Sequence, residues 1–218
     1  MMAECVFLFD VDNTLLDNDH VQADLSDHLA QNHGAATRDR YWAIFETLRA
    51  ELGYADYLGA LERYRLEDMH DPKILQIAPW LVGYPFAERL YPGALEAVAH
   101  VGRWGEAVIL SDGDAVFQPV KIHRAGLAQA FGDRVLIYIH KELELSAVER
   151  QHPARRYVLI DDKLRVLSAV KDIWGERVTT VFVRQGHYAA DKAALAPYRA
   201  ADLEIADIAG LVGLDFSA

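Results

Sequence analysis

Five short apolar runs set the strongest limit on how this 218-residue chain can fold: Cys5–Phe9, Ala107–Leu110, Val135–Ile139, Tyr157–Ile160 and Thr179–Val183. Each is mostly branched or aromatic, as suits a strand covered on both faces. Helical patterns separate the later runs, at Gly93–Arg103, Phe117–Ala130 and Leu164–Trp174. Strands alternating with helices build right-handed βαβ units, and so an α/β protein with a parallel sheet. A weaker strand–helix echo follows at Leu203–Ile205 and Ile208–Leu214.

The interval from Asn18 to Tyr91 breaks that rhythm. It has no clear strand. Val21, Leu25 and Leu29 recur at helical spacing, as do Tyr41, Ile44, Phe45, Leu48 and Leu52. Asp71-Pro72 reads as an N-cap with proline at the first helical position. Gly34, Gly53, Gly83 and Pro85 punctuate the segment. The expectation is a helical unit inserted after the first strand.

Charge narrows the range of partners. Lys and Arg number 22 against 33 Asp and Glu, a formal net charge of −11, with no basic run. Binding to a phosphate backbone needs clustered Lys and Arg, so neither nucleic acid nor an acidic membrane surface is an expected partner. No stretch approaches the length of a membrane span. The single cysteine, Cys5, cannot form an internal disulfide, and a reducing cytoplasm is the simplest setting.

The chemistry gathers where the strands end. Asp10 and Asp12 follow the first run, and Ser111-Asp112-Gly113-Asp114 the second, with Gln118 and Lys121 beyond. His140-Lys141-Glu142 follow the third, and Asp161-Asp162-Lys163 the fourth. In a parallel sheet these carboxyl ends open on one edge, where α/β proteins bind ligands, so groups distant in sequence converge. Carboxylates as close as Asp10 and Asp12 repel unless a cation or proton separates them, which asks for a divalent metal. The nine histidines show no metal-ligand spacing and are read as residues of the surface or of the helical insertion, His187 included.

These same residues resemble the haloacid dehalogenase-like hydrolase superfamily, whose members are mostly phosphatases. Phe9-Asp10-Val11-Asp12-Asn13-Thr14-Leu15 is similar to its first motif. Leu90-Tyr91-Pro92-Gly93, then Ser111-x-Gly113 with Gln118 and Lys121, fit around the second strand, and Asp161-Asp162 fits the fourth motif. The third motif is a lone lysine. The resemblance implies a three-layer Rossmann-like core, residues 1–17 and 92–218, carrying an all-helical cap, residues 18–91. It implies Asp10 as nucleophile and Asp12 as general acid and base. It implies Ser111 with a neighbouring backbone N–H on the phosphoryl oxygens, Asp112 and Gly113 beside them, and Lys141 supplying positive charge. Mg²⁺ would be held by Asp10, the Asp12 carbonyl, Asp162 and Asp161, with Asp162 favoured as the direct ligand of the pair. Lys121 competes with Lys141 for the cationic role. Three positions depart from the common pattern: Asn13 for Gly, Asp112 for Asn, and Lys141-Glu142 for Lys-Pro.

The expected activity is Mg²⁺-dependent hydrolysis of a small phosphorylated metabolite through an aspartyl-phosphate. A 2-haloacid dehalogenase is the first rival, though those relatives carry an aromatic residue where this chain has Asp12. A phosphomutase and a non-catalytic binding protein are the others. Tyr41, Arg49, Tyr57, Arg63 and Tyr64 are the candidates for facing substrate from the helical unit, and the chain is expected as a monomer or homodimer.

Overall fold

The computed structural model describes residues 2–67 and 69–217. Its centre is a six-stranded, all-parallel sheet in the order β3-β2-β1-β4-β5-β6. The strands are β1 (Ala3–Phe9), β2 (Glu106–Asp112), β3 (Val135–Tyr138), β4 (Ala154–Asp161), β5 (Val178–Val183) and β6 (Leu203–Ile205). The order reverses at β1, since β2 and β4 lie on opposite sides of it. That switch point is where a crevice opens in such sheets.

Among the described residues, four α-helices follow β1 before the α/β part resumes: α1 (Asn18–His33), α2 (Ala35–Leu52), α3 (Tyr57–Glu67) and α4 (Ile77–Gly83). The α/β part then adds α5 (Ala94–Val101), α6 (Phe117–Arg124), α7 (Leu127–Ala130), α8 (Leu145–Gln151) and α9 (Leu164–Trp174). Two short helices, α10 (Gly186–Ala190) and α11 (Lys192–Leu195), join β5 to β6.

Side-chain alternation along β1 sorts the core into two layers. Cys5, Phe7 and Phe9 join one cluster with Ala97 and Val101 of α5, Ile122 of α6 and Leu127 of α7. Val6 and Leu8 join the other with Val148 of α8 and Val166, Leu167 and Val170 of α9. The apolar stripes of α1 and α2 continue the first cluster, so the helical insertion shares its core with one face of the sheet. No helix among the described residues is long and apolar enough to cross a membrane.

Several expected boundaries move. The β2 and β4 strands run on through Ser111-Asp112 and Asp161, because ladder hydrogen bonds persist after the apolar side chains stop. The helix expected at Phe117–Ala130 is broken at Gly126, whose φ of 77° lies in the left-handed region. The seven-residue α8 escapes a periodicity reading because it is too short to show one. Asp71 does cap as expected, accepting from Lys73 N–H, but the turn it opens is a 3-10 helix, Pro72–Gln76.

Candidate active site

Ladder pairing carries β1 one residue past its last strand position. Asp10 N–H donates to Ile160 O at 3.0 Å, which sets Asp10 beside the tip of β4. The chain then turns tightly, with the Val11 carbonyl accepting from Leu15 N–H and Leu16 N–H. Asn13 sits in that turn with φ 61°, a conformation asparagine tolerates better than most residues. Its side-chain oxygen accepts from the backbone N–H groups of Asn18 and Asp19. That side chain thereby serves the first turn of α1.

Three acidic groups from two strand tips meet. Ligating oxygens of Asp10, Asp161 and Asp162 lie within 4.8 Å of one another, and all three residues are buried. Lys141, with no exposure, places Nζ 2.5 Å from Asp10 Oδ1 and 2.7 Å from Asp161 Oδ2. Asp161 Oδ1 also accepts from Lys163 N–H. Asp162 differs: neither carboxylate oxygen has a hydrogen-bond partner, and both are inaccessible to water. Burial, only partly offset by Lys141, pushes the Asp161 carboxyl up to about 6. Burial also lifts Asp162 well above the carboxylate range, against Lys163 and with the Asp10 and Asp161 charges adding to the rise. For Lys141 burial pulls downward, but Asp10, Asp161 and Asp112 outweigh it and hold the ammonium well above its ordinary value.

A second acid–lysine pair stands on the cleft wall. Asp12 accepts from Lys121 Nζ at 2.8 Å on Oδ1 and 2.9 Å on Oδ2. Lys121 also donates to Asn18 Oδ1 at 3.1 Å. Gln118 Nε2 reaches Ser111 Oγ at 2.9 Å and Asp12 Oδ2 at 3.4 Å. Lys141 is therefore the lysine that meets Asp10, and Lys121 the one that meets Asp12.

Ser111 does not cap α6. The N-cap is Val116, and Asp114 just before it accepts from Val116 N–H and Phe117 N–H, while Ser111 Oγ donates to Asp112 O. Asp112 is held by the neighbouring strand tips: Oδ1 accepts from the Lys141 backbone N–H at 3.0 Å and Oδ2 lies 3.7 Å from the Lys163 ammonium. Gly113 is required by proximity as well as by its φ of 153°, because a Cβ there would sit 2.9 Å from Gln118 Cβ.

These groups border a cleft of about 1040 Å³. That is room for a metabolite with its water, and too little for a folded partner. Asp12, Asn13, Asp112, Gly113 and Lys163 line it from the strand tips, and Asn18, Gln22, Arg49 and Tyr57 from the insertion. Asp10, Ser111, Lys141, Asp161 and Asp162 are buried behind this lining. Of the five insertion residues expected to face substrate, only Arg49 and Tyr57 line the cleft. Tyr41 is buried in the core and donates to Tyr57 O, Arg63 pairs with Glu51 at the surface, and Tyr64 bonds Thr37.

Sequence reasoning missed the β5–β6 connection. His187 is surface-exposed as expected, but it also lines the cleft and bonds Asp19 at 2.6 Å. Tyr188 accepts from Arg49 of α2, with Lys163 Nζ 5.5 Å from its ring centroid. Gly186 lets this segment approach, since a Cβ there would lie 2.6 Å from Asn13. The glycine alone marks the contact in the sequence, and nothing there says what it approaches.

Comparison with known proteins agrees with this geometry. A family model described as hydrolase, haloacid dehalogenase-like hydrolase, matches residues 6–162. A solved protein of Burkholderia xenovorans LB400, described as a haloacid dehalogenase-like hydrolase, is 58% identical with a TM-score of 0.94, covering 98% of this chain and 99% of that one. The fold is also similar to L-2-haloacid dehalogenase from Xanthobacter autotrophicus, 17% identical with a TM-score of 0.65, over 97% and 98% of the two chains. It is similar in the same way to a magnesium-bound HAD-family hydrolase from Bacillus subtilis, 16% identical with a TM-score of 0.63, over 97% and 98%. Comparison with curated proteins finds no match. The chain belongs to the haloacid dehalogenase-like hydrolases.

Proposed function

We propose that the protein is a magnesium-dependent phosphatase of a small phosphorylated metabolite, working through an aspartyl-phosphate on Asp10. The observation that carries this reading is the Asp162 carboxylate, buried with both oxygens unpartnered beside Asp10 and Asp161. Buried charge needs compensation, and three carboxylates exceed what Lys141 supplies. An all-oxygen set is the donor chemistry Mg²⁺ prefers, so the residues fit the ion. Asp10, Asp161, Asp162 and the Asp12 carbonyl would hold it. When bound, the ion screens the repulsion between Asp10 and a phosphate and stabilises charge on the phosphoryl oxygens.

The chain's own groups perform the remaining steps. A carboxylate oxygen of Asp10 attacks phosphorus as the bond to the substrate's ester oxygen breaks. Asp12 gives that oxygen its proton and then accepts one from the water that attacks the aspartyl-phosphate. That second attack breaks the Asp10–phosphorus bond and releases inorganic phosphate. Lys141, Ser111 and the backbone at Asp112 and Gly113 steady the phosphoryl oxygens. Asp10 is only 1% exposed, so substrate entry requires the cleft floor to open. Residues 18–91 then act as the cap that admits and covers the substrate, on a core of residues 1–17 and 92–218.

A second reading has its own support. Lys141 already gives Asp10 and Asp161 a buried cation, a set that serves a metal-free displacement of halide from a 2-haloacid. Asp12 weighs against it, because halide leaves without a proton. A panel of phosphorylated metabolites and aryl phosphates, run beside 2-chloropropionate, separates the two. Phosphate release that needs Mg²⁺, stops with EDTA and falls on the order of 10⁴-fold in Asp10→Asn supports the phosphatase. Chloride release that is indifferent to EDTA replaces it with the dehalogenase.

A further inference from the structure

Lys121 is a lysine out of reach of water, 1% exposed, yet it is paired with a carboxylate that lines the cleft and reaches solvent. Its ammonium has three protons and finds three acceptors, the two oxygens of Asp12 and Asn18 Oδ1. Its Nζ lies 5.7 Å from the ring centroids of both Tyr57 and Phe117, which leaves the amine little freedom to swing. Asp12 is 25% exposed at its side chain and is gripped by α6 through Lys121 and Gln118. A buried pair that served stability alone would have no reason to place its acid on a cleft wall. This acid stands two residues past Asp10 and opposite the insertion.

We infer that Lys121 is the positioning residue for proton transfer: held by Asn18 and gripping both Asp12 oxygens, it aims Asp12 at the leaving-group oxygen. The inference rests on the phosphatase reading and deepens it. In the first half-reaction the phosphorus–oxygen bond of the ester breaks and the Asp12 proton moves to the ester oxygen, leaving Asp12 anionic against Lys121. In the second, Asp12 takes a proton from the attacking water and the cycle closes. Lys121 keeps its own protons throughout, and Asn18 holds the amine in place from the first turn of α1.

Proton donation matters most when the leaving group is a poor one, so a leaving-group series isolates it. The probes are phenyl phosphate and para-nitrophenyl phosphate with Mg²⁺, assayed on the full chain as wild type, Lys121→Met, Lys121→Arg and Asp12→Asn. The nitrophenolate departs readily without a proton, whereas phenolate needs more help. We expect the ratio of kcat/KM on phenyl to that on para-nitrophenyl phosphate to fall about 10- to 100-fold in Lys121→Met, with the same sense in Asp12→Asn. Lys121→Arg keeps the charge but moves it, so the ratio falls less. This variant also carries the test if Lys121→Met does not fold. An equal loss on both esters, or an unchanged ratio, overturns the positioning role and leaves the phosphatase intact. A wild type that turns over neither ester removes the phosphatase reading, and the role of Lys121 falls with it.

Discussion

The cleft holds two acid–lysine centres built on opposite electrostatic terms. On the wall, one carboxylate meets one lysine, and every donor of that lysine is used. Behind the lining, three carboxylates crowd around Lys141, and Asp162 is left with no hydrogen bond at all. The first centre is complete as folded. The second carries surplus negative charge in a place where desolvation is expensive, the condition under which a protein recruits a cation. One molecule thus keeps a charge-matched pair beside a charge-unbalanced cluster.

The sharpest way to break this comparison is to remove each lysine in turn. Lys141→Met leaves Asp10 and Asp161 buried with no ammonium in contact, Lys163 acting only at longer range, and is expected to cost roughly 3–5 kcal/mol of unfolding free energy in metal-free buffer. Lys121→Met exposes a milder fault, because Asp12 already touches the cleft water; about 1–2 kcal/mol is expected. Denaturant unfolding of the two variants checks the order. Equal losses would mean the two centres are not different in kind.

Acidification sharpens it further. Asp161 is held in the fold at about 6, above its ordinary 3.8, and Asp162 is raised in the same direction. A carboxyl whose value is raised on folding binds more protons folded than unfolded between those two values. Stability therefore falls as pH rises from about 4 to about 6, and returns on acidification. For Asp161 alone the span is worth roughly 3 kcal/mol. Melting curves in EDTA between pH 7 and pH 5 are expected to rise, and added Mg²⁺ to flatten the trend.

Much of this was legible in the residues. The βαβ rhythm foretold a parallel sheet, because fully buried strands must be continuously apolar. The polar residues at their tips foretold which groups would meet, because parallel strands end together. The acid cluster follows from that rule, whereas the place of Lys141 beside Asp10 came from the family resemblance, with Lys121 as its competitor. Three things were not legible. The pairing of Lys121 with Asp12 depends on how α6 is rotated over the sheet, and no local pattern encodes a rotation. The approach of Tyr188 to Arg49 joins residues 139 positions apart through a connection with little periodicity of its own. Which aromatic and basic residues of the insertion face inward is decided by how α2 and α3 pack on each other. Tyr41 and Arg63 share the composition of a binding wall, yet they lie in the core and at the surface.

Magnesium titration of the metal-free protein, followed by calorimetry and by melting temperature, is the most direct test of the charge-unbalanced cluster. The account requires wild-type protein to bind the ion and gain about 2.7 kcal/mol at a hundred times the dissociation constant. Asp162→Asn, which lacks the unpartnered carboxylate, is required to lose both the heat and the stabilisation. Wild-type protein that neither binds magnesium nor melts higher in its presence, or an Asp162→Asn variant that responds as wild type does, would contradict it.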